Sequence, residues 1–281
     1  MNTSTILDSL FASNDIPLES FDYLTPNQMH QLLRNPLGNK SLLKFHVTID
    51  NETLDQIPLF RVAEHLLKII QREKQLKLTA KGALTQKIVV ELYEQRFIIS
   101  HEVEAGYFKN NLEEYHPSTT AVRVVLPFTG LAKKINNKLS LTKNGEKLLL
   151  PQNRVELFKV FFEKFTSKLN WGYFDRYSSI SGQLGWAYST YLLAKYGNEP
   201  QISAFYAEKY IAAFPMMLRD FTQSFSTPQK SLTSCYAIRT LSRFWDWFGF
   251  VNITQQKKYS DALCGEFTKS DLFEKIFFLE I

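Results

Sequence analysis

The sequence predicts a mainly α fold with small β-hairpins, arranged as tandem winged-helix-like units joined by a helical core. Three observations predict this fold class. Apolar residues recur at helical spacing along much of the chain. Glycine and proline are sparse, at 11 and 10 of 281 residues, which leaves little sequence for long loops. A segment that alternates around a polar turn occurs twice, and each copy leads into a helix start.

Helices are predicted before the first alternating segment. One begins with Thr25 as N-cap and Pro26 at the first helical position, and it ends at the turn residues 35–39. Another begins near Thr85, after a short extended segment and a turn at Lys81-Gly82. Between these two, a further helix carries an apolar face at helical spacing, formed by Leu59, Val62, Ala63, Leu66 and Ile70.

The segment STTAVRVVLPFTGL is ambiguous. Its valines favour a strand, and Pro127 would interrupt a helix. Ser118, which follows Pro117, could still cap a short helix. We predict a helix here because the next segment has the pattern of a hairpin, which in a winged helix comes directly after a helix.

That next segment, LAKKINNKLSLTKNGEKLLL, predicts a hairpin and then a helix. Ala132–Ile135 and Lys138–Leu141 alternate on either side of Asn136-Asn137, and asparagine tolerates the positive φ angles of a tight turn. Thr142 can cap the helix at the end of the segment.

The second half is predicted to be helical up to a second hairpin. One helix stops at Gly197, and another over Ile202–Phe221 is predicted to kink at Pro215. The apolar stripes comprise Val155, Phe158, Phe162, Phe165 and Leu169 in one helix, and Cys235, Ile238, Leu241, Trp245 and Phe248 in another. The segment GFVNITQQKKYSDALCGEFTKSDLFEKIF then repeats the order glycine, strand, polar turn, strand, helix. We therefore predict two domains, 1–150 and 151–281, each with one winged-helix-like unit.

Composition limits the cellular context. The formal net charge is +5 and the pI is about 9.0, which is mildly basic. The N-terminus lacks the pattern of a signal peptide, and no apolar stretch approaches the roughly 18 residues of a membrane span. Cys235 and Cys264 are too few for a disulfide framework. A cytoplasmic protein with no membrane partner is the expectation.

Three quoted segments resemble a known family. IPLFRVAEHLLKIIQREKQLKLTAKGALTQKIVVELY, GLAKKINNKLSLTKNGEKLL and ELFKVFFEKFTSKLNWGYFDRY are similar to the helical winged-helix module of bacterial SEC-C-motif proteins and of plasmid- or transposon-encoded open-reading-frame-three-like proteins. The similarity runs from about Leu54 to the C-terminus, without the SEC-C cysteine motif. It implies a winged-helix architecture in a bacterial protein and implies no activity.

Sequence motifs give no sign of an enzyme. GxxxxGK[ST], GxGxxG, GxSxG and HExxH are all absent from the sequence. The segments HEVE and NLEEYHP hold histidine and glutamate, but a solvated polar loop is the expected role for both. Neither a catalytic residue, nor a metal ligand, nor a cofactor is predicted.

The two hairpins suggest duplex DNA as the partner. In a winged helix, one helix can enter the major groove while the hairpin contacts phosphates. Arg239 and Arg243 share a helix face and suit guanine contacts. The residues predicted to bind nucleic acid are Lys133, Lys134, Lys138 and Lys143 around the first hairpin, Tyr236, Arg239, Thr240 and Arg243 on the second helix, and Lys257 and Lys258 at the second turn.

Two functions are therefore carried forward. The first is a non-enzymatic, winged-helix DNA-binding regulator. The alternative is a protein–protein interaction scaffold that binds a protein partner or self-associates without nucleic acid. Exposed aromatic side chains, for example in WGYFDRYSSISGQLGW, would favour the scaffold, whereas burial in a core is the more common state of such clusters.

Overall fold

A computed structural model describes residues 14–175, 177, 180–221, 226–254 and 265–280. Within these ranges the chain is mainly helical, with small antiparallel sheets, so the predicted fold class is confirmed. The α-helices are α1 Pro26–Arg34, α2 Asn51–Asp55, α3 Pro58–Glu73, α4 Gln86–Glu94, α5 His101–Glu104, α6 Pro117–Val125, α7 Lys143–Leu148, α8 Arg154–Ser167, α9 Trp186–Tyr196, α10 Ser203–Ala213, α11 Pro228–Tyr236 and α12 Asp271–Ile276.

Helix α11 continues directly into a π-helix over Ala237–Trp245. The described strands are β1 Leu43–Phe45, β2 Leu76–Lys77, β3 Ala132–Ile135, β4 Lys138–Leu141, β5 Gln201–Ile202, β6 Val251–Thr254, β7 Glu266–Lys269 and β8 Phe277–Leu279. Short 3-10 turns lie at Glu19–Phe21, Glu113–Tyr115, Leu126–Thr129, Pro151–Asn153, Trp171–Phe174 and Pro215–Phe221.

The described chain forms two compact units. The first unit comprises residues 48–174 and 247–249, and the second comprises the described residues of 14–47, 175–246 and 250–280. This division differs from the predicted boundary at residue 150. Helix α8 groups with the residues before it because Phe158 packs edge-on against Phe60 of α3, at 5.5 Å between ring centroids. The N-terminal residues group with the C-terminal ones because β1 pairs with β8.

Both units contain the same order of elements. In the first unit, α3, β2, α4, α6, β3, β4 and α7 follow one another, and the sheet order is β2-β4-β3. In the second unit, α9, β5, α10, α11, β6, β7 and α12 follow one another, and the sheet order is β5-β7-β6. The first strand of each copy therefore pairs with the last, and the internal repeat inferred from sequence is present in the structure.

The local signals for the helices behave as expected. Thr25 and Gln28 form a reciprocal capping box at the start of α1. The ambiguous segment is helical as α6, with its valines turned mostly into the core. The helix predicted to kink at Pro215 instead ends before it. Helix α10 stops at Ala213, and a 3-10 turn begins at Pro215.

Each unit has an aromatic core. In the first, the Phe248 ring packs at 5.1 to 5.2 Å from the rings of Phe162 and Phe165 on α8. In the second, Tyr206 packs edge-on against Trp245 at 5.1 Å. All four tryptophans are buried, in line with the expectation that aromatic clusters form cores. No helix among the described residues has the length and apolarity needed to cross a lipid bilayer.

Candidate functional site

The hairpin of the first unit adopts the predicted turn. Asn136 and Asn137 have φ angles of 47° and 56°, the left-handed conformation that two-residue hairpin turns require. The Asn137 side chain donates a hydrogen bond to the Thr79 carbonyl at 2.5 Å, and its backbone carbonyl accepts one from Leu78 N–H at 2.9 Å. These bonds attach the chain just after β2 to the turn and so help to fix the three-stranded sheet.

One face of this sheet is basic. Residues directly opposite each other in an antiparallel pair point to the same face, and alternate residues along a strand point to opposite faces. Lys77 pairs with Lys138, and Lys138 pairs with Ile135. Lys133 lies two residues from Ile135, so it shares their face. We call Lys77, Lys133 and Lys138, together with Ile135, the lysine face.

The opposite face of the sheet is part of the core. Leu76, Ala132 and Leu139 lie on it, and all three are buried. The alternation therefore holds the register, because a slip by one residue would bury lysines and expose leucines. The lysine face is the solvent side of the sheet, and its three lysines are exposed.

Two further predicted lysines lie near the sheet but outside the lysine face, because Lys134 pairs with Leu139 of the opposite face and Lys143 lies beyond β4. Lys134 is exposed at the tip of β3, and its Nζ lies 3.1 Å from the position that a Cβ on Gly82 would occupy. Lys143 is exposed in the first turn of α7, just after its N-cap Thr142. The structure thus gathers the four predicted lysines of the first hairpin around one small sheet.

No acidic side chain belongs to the segments that build this sheet. From Lys74 to Val90 the sequence has four lysines and no aspartate or glutamate, and from Tyr115 to Gly145 it has four lysines, one arginine and no acid. Among the described residues, none of these eight lysines lies within ion-pair distance of a carboxylate. Summed like charges of this kind produce a positive local potential.

Helix α6, which precedes the hairpin, presents little to a ligand. Pro117 is its only exposed residue, and Ser118 and Thr119 are buried. Arg123 Nε donates a hydrogen bond at 2.6 Å to the buried carboxylate of Glu113, which also accepts one from Leu84 N–H. The polar groups of α6 are therefore used within the unit and do not form a base-reading surface.

The prediction of a base-reading face on the second unit is wrong. Tyr236, Arg239 and Thr240 are at most 1% exposed, so none of them can contact a nucleic acid in this structure. Arg239 donates a forked pair of hydrogen bonds to Asp175, at 2.7 and 2.8 Å, while Arg243 contacts the same carboxylate at 3.3 Å. Both arginines serve the internal packing of the unit.

The surroundings of the π-helix explain this burial. Aromatic side chains cover the segment, as shown by Tyr210, whose ring centroid lies 4.7 Å from that of Tyr236. On the other side, Gly182 has a φ of 80° and approaches Arg239 and Thr240 so closely that a Cβ there would be crowded. The adjacent Ser181 carbonyl accepts a hydrogen bond from Arg239 at 3.0 Å. A helix enclosed on several sides leaves Arg239 no route to solvent, whereas Arg243 is partly exposed.

The described strands of the second sheet carry no counterpart of the lysine face. Lys257 and Lys258 lie outside the described residues. The described residues on the solvent side of this sheet are Ile202, Asn252, Thr254, Glu266 and Thr268, by the pairing of β6 and β5 with β7. No cation is among them, and the one charged group is a carboxylate.

Other candidate chemistry is limited. Among the described residues, no three or more His, Cys, Asp or Glu side chains group in a way that could hold a metal ion. His116 is buried, and that burial lowers its pKa. Burial raises the pKa of the Cys235 thiol to about 12, so it stays protonated at neutral pH.

Lys77 belongs to the lysine face but was not among the residues predicted from the sequence. Strand β2 has only two residues, too few for an alternation to reveal its faces. The sequence could have indicated it through KQLKLTAKG, a segment with three lysines and no aspartate or glutamate.

Comparison with known families gives one match. The family described as the Y4jL N-terminal domain matches residues 55–155, a range that contains the first copy from α3 to α7 with its lysine face. No curated protein and no solved structure matches the chain. The family's name specifies a domain and no activity, and the resemblance to SEC-C-associated modules stays a prediction.

Proposed function

We propose that this chain is a non-enzymatic nucleic-acid-binding protein whose lysine face contacts the phosphate backbone of duplex DNA. The observation that carries the proposal is a set of lysines on one solvent-facing side of an acid-free sheet, none of them ion-paired among the described residues. Lysine acts as a point charge toward phosphate and carries no base specificity. The order of elements in the first copy supports a winged-helix assignment, with the hairpin as the wing.

The proposal differs from a sequence-reading regulator. Base readout needs side chains that reach the edges of bases in a groove, and α6 uses its polar groups internally. We therefore expect backbone binding that is largely indifferent to sequence. A cytoplasmic location is part of the proposal, since a free buried thiol such as that of Cys235 suits a reducing compartment.

The expected salt dependence follows from counterion release. Each phosphate neutralised on duplex DNA contributes a slope of about −0.9 to the logarithm of affinity against the logarithm of salt concentration. Three lysine contacts would give a slope near −2.7, or roughly a 40-fold loss of affinity between 50 and 200 mM salt. Fluorescence anisotropy with a labelled duplex at several salt concentrations measures this slope.

A matched pair of triple variants tests the site. Lys77→Gln, Lys133→Gln and Lys138→Gln together should reduce the salt slope by about 1 per lysine. The control carries Lys40→Gln, Lys168→Gln and Lys230→Gln, exposed lysines outside the lysine face, and it lowers the net charge equally. Equal losses in both triples would reduce the effect to net charge and contradict the proposal. No measurable duplex binding by the wild-type chain would favour the scaffold alternative.

A further inference from the structure

A pocket lies on the first unit between the end of α4 and the segment that follows α5. Its volume is about 430 Å³, and its lining includes Tyr93, Glu94, Arg96, Glu104 and Phe108. It therefore combines aromatic rings with two carboxylates and one guanidinium. Because Arg96 pairs with Glu104, Glu94 is the lining carboxylate that has no ion pair among the described residues.

Hydrogen bonds and ring contacts hold the walls in place. Arg96 donates a forked pair of hydrogen bonds to Glu104, at 3.1 and 3.0 Å, and the Tyr93 hydroxyl donates another to Glu104 at 2.7 Å. Phe108 stacks on Tyr115, with 4.3 Å between centroids and 7° between ring planes. The pocket is thus formed before any partner arrives, which reduces the entropy lost on binding.

Large apolar groups remain in solvent at the rim. Tyr107 is 68% exposed, and Phe108 is 44% exposed although its ring stacks on that of Tyr115. Exposed aromatic side chains beside polar groups are characteristic of interaction surfaces.

The charge at the rim indicates the sign of the partner. Glu94 and Glu102 are exposed, and neither forms an ion pair among the described residues, while Glu104 is neutralised by Arg96. Lys109 is the one exposed lysine in the segment that follows α5, residues 105–112. A cation held over an aromatic ring and close to a carboxylate gains from both groups. A phosphate would instead be repelled by the carboxylates.

We propose that this pocket docks a basic segment of a protein partner, with an arginine or lysine side chain inserted between the Phe108 ring and the Glu94 carboxylate. The docking site is separate from the lysine face and does not depend on the proposed DNA binding. It gives the first unit two surfaces of opposite charge preference.

Binding of a fluorescein-labelled hexa-arginine peptide tests the docking site. The wild-type chain should bind this peptide and should bind a hexa-citrulline peptide, which lacks the charge, at least tenfold more weakly. Glu94→Gln with Phe108→Ala should weaken hexa-arginine binding about tenfold or more. The control variant Glu156→Gln with Tyr173→Ala removes an exposed carboxylate and an exposed ring elsewhere in the unit and should bind as the wild type does.

Two outcomes would overturn the docking site. One is equal affinity for the arginine and citrulline peptides, and the other is equal weakening by both double variants. Changing Lys77, Lys133 and Lys138 to Gln should leave peptide binding unchanged, so failure of the DNA proposal would remain distinguishable. Concentration-dependent self-association that those three changes abolish would identify the lysine face of a second copy as the occupant and would contradict a distinct partner.

Discussion

The two copies of the repeated arrangement share the glycine before the hairpin and the cap after it, and their described surfaces differ. Gly130 and Gly249 precede the hairpins with φ angles of 71° and 72°, a conformation that favours glycine. Thr142 and Ser270 each cap the helix that follows the hairpin. The topology therefore depends on a few residues at fixed places. The outward residues of the strands differ between the copies, and among the described residues those of the first copy form a cationic face.

The copies also differ in how a charged side chain ties helices together. In the first, the buried Glu64 of α3 accepts a hydrogen bond from Arg154 at 2.6 Å, so the helix supplies the acid. In the second, Lys195 and Lys209 belong to α9 and α10, and Asp22 from the N-terminal segment joins them at 2.7 Å each. In the first copy the helix therefore carries the acidic partner of the ion pair, and in the second the helices carry the basic partners.

The largest expected effect is a difference in stability between variants of Arg239 in the second unit and of Arg123 in the first. Arg239→Ala removes a guanidinium that is fully buried and that donates to Asp175 and to the Ser181 and Tyr177 carbonyls, and loss of one partner of a buried pair costs about 3–5 kcal/mol. Arg123→Ala should cost less, about 2 kcal/mol, because the Arg123 side chain is partly exposed and Glu113 keeps its hydrogen bond from Leu84 N–H. Urea unfolding of both variants measures the difference in free energy of unfolding.

A larger loss of stability for Arg239→Ala than for Arg123→Ala would support the burial of the Arg239 guanidinium. If Arg239→Ala unfolds with a free energy within about 1 kcal/mol of the wild type, the guanidinium is not buried as described. Its side chain would then be available as the sequence first suggested. Asp175→Asn serves as a control, since it removes the charge but keeps a similar shape.

A second pair of changes compares the helices that follow the hairpins. The residue three places after each cap is Gly145 in the first copy and Phe273 in the second. A Cβ on Gly145 would overlap the Leu131 carbonyl oxygen, so Gly145→Ala should cost about 1–3 kcal/mol by overpacking. Phe273 is 2% exposed, so Phe273→Ala should cost about 3–4 kcal/mol by leaving a cavity.

Thermal unfolding distinguishes these mechanisms from loss of the caps. Thr142→Ala and Ser270→Ala remove the capping hydrogen bonds and should each cost about 1 kcal/mol. A stabilised Gly145→Ala variant would show that α7 does not pack closely on the strand start. The described contact between the two would then be wrong.

Sequence patterns predicted the first hairpin well because turn chemistry is local. Asn136-Asn137 and the cap at Thr142 depend on residues within a few positions, and the alternation of β3 and β4 identifies their faces. The exposure of Arg239 could not be predicted in this way. Its burial depends on Asp175, 64 positions away, and on a π-helix whose winding has no clear signature. Long-range partners decide whether a polar helix face is a surface or an interior.

The last expected effect concerns the pH dependence of the second unit, to which Asp22 belongs. Burial by itself raises the pKa of the Asp22 carboxyl, but hydrogen bonds from Lys195, Lys209 and Tyr196 outweigh it and hold the pKa below its usual range. A carboxyl with a lowered folded-state pKa contributes stability above its unfolded pKa, near about 3.9, and that stability is lost as pH falls through the folded value. Asp22→Asn should therefore cost about 1.5 kcal/mol at pH 7.

The difference between wild type and Asp22→Asn should shrink as pH falls below about 4, because protonation removes in the wild type the same charge that the substitution removes. Urea unfolding of both proteins at pH 7 and at pH 3 measures this change. Glu52→Gln, at an exposed carboxylate of the first unit, supplies a control whose difference from wild type should be near zero at both values. A constant difference for Asp22→Asn would mean that the lysines do not bind its carboxylate, and the contrast in charge arrangement between the copies would not hold.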